Sequence, residues 1–220
     1  MDNAQDIINV KRHPIDNLNE YAMRCRSDLQ ENSILILNKF LTKEALLALQ
    51  QEAKTLQNKA FYCTQTHNVL LTKRNLLLEN NHACNINLLS DKGCIPDDLV
   101  PSNSHLRTIY TSDKFKKFIQ CVLSKDKIYP YADTLSSINY NYYQRNQQLG
   151  WHFDNASFAI TLMIQSSTSG GKFQYVVDAR NVEKNTINIP LIESVLKNKY
   201  PVIDLHIEEG TLVLFYGRNY

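Results

Sequence analysis

Apolar residues recur at helical spacing in the first half of the chain and gather into short strand-like runs in the second. Residues 1–15 read as a loosely ordered N-terminus. From Pro14 to about Gln30, Leu18, Tyr21, Ala22 and Cys25 share one face, the mark of an amphipathic helix. The run Ser33-Ile34-Leu35-Ile36-Leu37 reads as a buried strand. Thr42 is placed to cap a helix reaching about Leu56, because Glu44, Leu46, Leu47 and Leu49 follow it at helical spacing. Residues 58–104 are rich in Asn, Thr and Leu without a clear period. They read as short strands and loops, a segment suited to covering a substrate. At 112–124, Phe115, Phe118, Ile119 and Val122 fall on one side of a short helix.

The pattern changes after Pro130. Strand-like runs occupy 137–143, 157–165, 172–177, 202–207 and 211–216, with turns at Gly170-Gly171 and Glu209-Gly210. A helix is predicted over 190–199, between Pro190 and Pro201. In 157–165 the alternation sends Phe158, Ile160, Leu162 and Ile164 one way. Ala159, Thr161, Met163 and Gln165 go the other, a smaller and more polar face suited to lining a cavity. Helices followed by antiparallel-looking strands argue for an α+β fold. The expected core is a β-barrel or double-sheet jelly roll with the N-terminal helices packed outside it. The expected organisation is one domain over 16–220, with helical support over 16–125 and a barrel core over 130–220.

Composition narrows the function classes. A hydrophobic fraction of 43% suits an ordinary buried core. Lys and Arg number 24 against 22 Asp and Glu, and the densest basic group is Lys114, Lys116 and Lys117 on one predicted helix. That balance gives no basic surface for nucleic acid. The five cysteines are odd in number and form no Cys-x-x-Cys pair, which argues against a disulfide framework or zinc knuckle and for reduced thiols in a cytoplasmic protein. The polar start Met1-Asp2-Asn3-Ala4-Gln5-Asp6 lacks the features of a signal peptide. No apolar run nears the roughly 20 residues needed to span a bilayer.

The chemistry centres on Trp151-His152-Phe153-Asp154. Read as the start of a strand, His152 and Asp154 project to one face, where an imidazole and a carboxylate can grip one ion. A second histidine from a later strand would complete a two-histidine, one-carboxylate triad, which leaves three positions open on Fe(II). Alone, His-x-Asp is weak: this composition yields about 0.35 chance matches per chain. Its ordinary reading is a turn histidine beside a capping aspartate.

The order of motifs is more specific. Asn139-Tyr140-Asn141-Tyr142-Tyr143 comes first, then Leu149-Gly150-Trp151-His152-Phe153-Asp154 and Phe158-Ala159-Ile160-Thr161-Leu162. Gly170-Gly171-Lys172-Phe173 and Gly210-Thr211-Leu212-Val213-Leu214-Phe215-Tyr216-Gly217-Arg218-Asn219 follow. This order resembles the double-stranded β-helix of the iron(II)/2-oxoglutarate oxygenases, and within them the free amino-acid halogenases and hydroxylases (the HalD/BesD type). The resemblance is strong over 130–220 and looser over 16–56 and 105–125. It implies a dioxygenase using Fe(II), 2-oxoglutarate and O2, with ascorbate as a supporting reductant, acting on a small polar substrate such as a free amino acid.

By that resemblance His152 and Asp154 are the first two iron ligands, and Tyr143 contacts the 2-oxoglutarate carboxylate. Trp151 and Asn155 flank the substrate pocket, although packing and turn roles serve them equally well. Halogenases of this type carry a small residue where the carboxylate would stand, so Asp154 favours hydroxylation over chlorination. The resemblance places the distal histidine shortly after Gly210–Asn219, past Tyr220. The expectation is therefore a chain short of its third ligand and last barrel strand, with His206, or His206 with Glu208, as a weak substitute. His13, His67, His82 and His105 read as surface or loop histidines. Two other readings are a cupin-like small-molecule binding module and a truncated or degenerate jelly roll without catalysis. The sequence does not indicate an oligomeric state.

Overall fold

The amphipathic stretches of the first half form helices in the computed structural model, which describes residues 3–216 apart from 134, 182, 183 and 185. Helix α1 (Tyr21–Asn32) buries Tyr21, Ala22, Cys25 and Leu29 and ends at Ser33, whose φ of 60° turns the chain out of the helix. It starts later than the spacing from Pro14 predicts. Helix α2 (Lys43–Leu56) opens as predicted, with the Ala45 N–H donating to the Thr42 hydroxyl at 3.3 Å. Helix α3 (His105–Thr111) and helix α4 (Asp113–Val122) are capped by Ser104 and Ser112. Helix α4 buries Phe115, Phe118, Ile119 and Val122, the four residues its period selects. On its outer face Lys116 and Lys117 are exposed, and Lys114 pairs with Asp16 at 2.8 Å.

The expected loose N-terminus is corrected over residues 4–15. Ala4, Ile7, Ile8 and Ile15 lie in the main core, and Asn3–Asp6 form a 3-10 turn. The Ile7 carbonyl accepts from the Thr42 N–H, and Ile8 bridges to Leu41. These isoleucines show no period because their partners are distant in the chain.

Strands β1 (Ile34–Leu37), β5 (Ala159–Leu162) and β10 (Leu212–Phe215) form an antiparallel sheet in the order β1-β10-β5. The central strand is buried on both faces. Leu212 and Leu214 enter the main core, and Val213 enters a smaller cluster with Ile34 and Ile207. A second antiparallel sheet has the order β2-β3-β4, from β2 (Phe61–His67), β3 (Leu88–Ile95) and β4 (Tyr140–Tyr142). Two short pairs complete the strands: β6 (Phe173–Tyr175) with β9 (Ile203–Leu205), and β7 (Arg180–Asn181) with β8 (Thr186–Ile187). Helix α5 (Ile189–Leu196) lies between β8 and β9. The architecture is mixed α+β with several antiparallel sheets, and the strand ladders close no barrel among the described residues. No helix there is long and apolar enough to cross a membrane.

The main core holds Phe40, Phe118, Leu29, Leu49, Ile95 and Leu214, all essentially without solvent contact. Each such side chain contributes about 1.5–3 kcal/mol of hydrophobic burial. The alternation in β5 holds with one exception. Phe158, Leu162 and Ile164 pack on the main core, whereas Ile160 is 39% exposed. Met163, expected to help line a cavity, instead packs against the cluster that includes Phe173, Tyr175, Leu205 and Phe215.

Candidate functional site

The segment between β4 and β5 carries the His152–Asp154 pair. It forms no strand over 150–158, with bends at 151 and 155–157, which corrects the expectation of a strand start. Backbone bonds hold it against β3 and the chain beyond β2. Asp91 donates its N–H to the Gln148 carbonyl at 2.8 Å, and its carboxylate accepts from the Gln148 N–H at 2.7 Å. The Gly150 N–H donates to the Ser90 hydroxyl at 2.8 Å, and the Phe153 N–H to the Val69 carbonyl at 2.9 Å. Gly150 is required by closeness: a Cβ there would stand 2.9 Å from both the Leu88 Cβ and the Leu89 carbonyl oxygen.

Alternation survives without the strand. Phe153 is buried in a cluster with Val69, Ala83, Ala179 and Ile192, on which Trp151 also packs. The Arg180 guanidinium lies 5.6 Å over the Phe153 ring. On the other side His152 and Asp154 meet, with Nε2 3.3 Å from Oδ1. The Nδ1 of His152 lies 2.7 Å from the Gly150 carbonyl, which only accepts, so Nδ1 carries a proton. The Asp154 carboxylate, accepting from the protonated Nε2, raises the His152 pKa above its ordinary 6.5. Burial opposes this, the Gly150 carbonyl reinforces it, and the Lys92 ammonium opposes it again.

These two groups fit a divalent cation. Once Nε2 gives up the proton it shares with Asp154, the ring keeps Nδ1–H on the carbonyl and presents a bare Nε2 beside the carboxylate, the usual arrangement of a metal-binding histidine. Two adjacent ligands with bonds of about 2.1 Å stand roughly 3 Å apart in an octahedral shell, close to the 3.3 Å observed. Among the described residues no group of three or more His, Cys, Asp and Glu side chains converges in this way. His206 is exposed just past β9 and is not brought to the pair. Gly217, Arg218, Asn219 and Tyr220 lie outside the described residues.

Tyr143 follows β4 directly and is half exposed. The register sets Asn141 opposite Cys94 and Cys94 opposite Phe61. By alternation Tyr143 continues the sheet face that carries Lys92, Ser90 and His67. Trp151 is packed rather than open, and Asn155 is exposed at a bend.

One functional candidate escaped the sequence reading. His67 sits at the end of β2, and its ring stands edge-on to that of His152 with centroids 5.7 Å apart. It also lines a cleft of about 440 Å³ with Gln65, Thr66, Leu71, Thr72 and Lys73. No local motif marks it, because its partner comes from a distant segment. His13 is likewise no surface histidine: it is buried, bonded to the Tyr21 hydroxyl at 2.6 Å and the Asn38 carbonyl at 2.9 Å.

Fold and site together define a mixed α+β protein with a part-buried imidazole–carboxylate pair in the chain between β4 and β5, strands of two of its antiparallel sheets. The family model described as Halogenase D matches residues 18–217, and the chain belongs to that family. No curated protein gives a significant match to it.

Proposed function

We propose that this chain is an Fe(II)/2-oxoglutarate-dependent oxygenase that hydroxylates a small polar substrate, with a free amino acid as the leading class. The observation that carries the reading is the 3.3 Å approach of His152 Nε2 to Asp154 Oδ1 on the side of the segment opposite the packed Phe153. Membership of the Halogenase D family supports the oxygenase class. In this reading 16–220 is one domain built on a double-stranded β-helix. His152 and Asp154 hold the iron. Tyr143 contacts the cosubstrate carboxylate, and the cleft beside His67 admits the substrate. Bound Fe(II) and 2-oxoglutarate supply the activation of O2 and the oxidation of an aliphatic C–H bond. The protein's part is to orient that bond and exclude water. Asp154 fills the position that a halide needs, so hydroxylation is favoured over halogenation.

The test is turnover with Fe(II), 2-oxoglutarate and O2 against a panel of free amino acids. The expected result is succinate together with a product heavier by one oxygen atom, both lost in His152→Ala and Asp154→Ala. Absence of succinate across the panel, with no charge-transfer band on anaerobic addition of Fe(II) and 2-oxoglutarate, would refute it.

A second reading is favoured by one observation: two protein ligands, not three, converge among the described residues. It is a non-catalytic member that binds a small molecule in the cleft. Ligand binding unaffected by iron or 2-oxoglutarate would select it.

A further inference from the structure

We propose that His67 and Ser90 are positioning residues that set the orientation and tautomer of His152. This rests on the reading of His152 as a metal ligand. Ser90 is 3% exposed and stands at the junction of two segments. Its oxygen accepts the Gly150 N–H at 2.8 Å and lies 2.6 Å from His67 Nε2. His67 Nδ1 lies 3.0 Å from the Asn68 carbonyl, so that nitrogen carries the proton. In the neutral ring His67 Nε2 then accepts from the Ser90 hydroxyl. The bonds run in one direction: Gly150 N–H to Ser90, Ser90 O–H to His67, His67 N–H to the Asn68 carbonyl. The opposite end of the same residue, the Gly150 carbonyl, receives His152 Nδ1–H at 2.7 Å.

The relay therefore fixes Gly150, and Gly150 fixes which His152 nitrogen is left bare. Outer partners of this kind orient a ligating histidine and are worth about 10–100-fold in metal affinity. Both His67 nitrogens are engaged within the protein, so its role is to steady the ligand rather than to join it. Its edge-on contact with the His152 ring restricts that ring from a second direction.

The test compares wild type, Ser90→Ala, His67→Leu, His67→Gln and His152→Ala. The first readout is the two-bond 1H–15N spectrum of histidine-labelled metal-free protein, taken at the alkaline end of a pH series where the His152 signals have stopped shifting, so that it reports the tautomer of the neutral ring. The second is Co(II) affinity by optical titration. Wild-type His152 is expected as the Nδ1–H tautomer. Ser90→Ala and His67→Leu are expected to mix the tautomers and weaken Co(II) about 10–100-fold. His67→Gln keeps an acceptor for the Ser90 hydroxyl and is expected to stay within about threefold of wild type. If His67→Leu does not fold, Ser90→Ala and His67→Gln still decide the matter. Retention by Ser90→Ala of both the tautomer and the Co(II) affinity overturns the proposal while the metal site stands. Co(II) binding by His152→Ala at wild-type strength overturns the ligand reading, and the proposal with it. The His152→Ala arm tells these two failures apart.

Discussion

Two glycines allow a direct contest between distance and compliance. A Cβ at Gly93 would stand 2.6 Å from the Tyr62 ring, and one at Gly150 would stand 2.9 Å from Leu88 Cβ and the Leu89 carbonyl. Distance alone ranks Gly93→Ala as the worse change. The neighbours reverse that ranking. Tyr62 is 37% exposed on an edge strand, and its ring can swing toward water. Leu88 and Leu89 belong to β3, and the nearest Leu89 atom is backbone. Overpacking against such neighbours costs about 1–3 kcal/mol. The Ser90 and His152 bonds at Gly150 are worth roughly 0.5–1.5 kcal/mol each if disturbed. A stiffer unfolded chain returns about 0.4–1 kcal/mol in either variant. Gly150→Ala should therefore lose about 1–5 kcal/mol, and Gly93→Ala should stay within about 1 kcal/mol of wild type. Equilibrium unfolding in urea measures both. A larger loss in Gly93→Ala than in Gly150→Ala would refute the reasoning.

Leu214→Ala, in the central strand of the β1-β10-β5 sheet and fully buried, should lose about 2–5 kcal/mol. Ile160→Ala, in the edge strand and 39% exposed, should lose clearly less, and equal losses in urea would contradict the assigned faces. Thr42→Ala removes the α2 cap and should cost about 0.5–2 kcal/mol. Thr42→Ser should recover most of it in the same assay. His13 supplies a pH dependence. Burial lowers its pKa below 6.5, the Asn38 carbonyl opposes this, and Arg12 adds to the lowering. The unfolded chain thus takes up the proton first as pH falls, so His13's contribution is complete above about pH 6.5 and is lost as pH drops toward the folded-state pKa. Unfolding free energies at about pH 7.5 and 5.5 should differ more in wild type than in His13→Gln. Equal differences would show that His13 is not the titrating group.

The legible parts of the fold were those whose burial is set by local spacing. In α4, Phe115, Phe118, Ile119 and Val122 announce both the helix and its inner face. In α2 the cap residue can be read directly. Strand β10 declares itself as an apolar run because both of its faces are covered. The β2-β3 ladder, running from Phe61↔Cys94 to His67↔Leu88, lies in the stretch that showed no period. Six of the seven β2 residues are exposed, so no alternation was needed to bury one face. Ile7, Ile8 and Ile15 were passed over for the opposite reason: they are buried by distant partners and leave no local pattern. At the site, His152 and Asp154 stood out through the order of motifs around them, since their spacing alone is weak. His67 did not, since only the folded chain brings it beside His152.

His152 and Asp154, expected at the start of a strand, lie outside any ladder. A ladder would have held His152 in place through repeated backbone pairing. Here two contacts to side chains, the Ser90 hydroxyl and the Asp91 carboxylate, and two to backbone groups, Asp91 and Val69, hold the segment instead. Phe153 is anchored in its cluster, and the two polar side chains beside it, His152 and Asp154, approach each other. A segment held at so few points can be displaced by changing one of them. The geometry of the pair is consequently more sensitive to Ser90, a residue with no chemistry of its own, than to loss of an apolar side chain from the main core. Leu214→Ala should therefore lower stability with little change in metal affinity, whereas Ser90→Ala should lower both, because it also removes the bonds to Gly150 and His67, worth roughly 0.5–1.5 kcal/mol each.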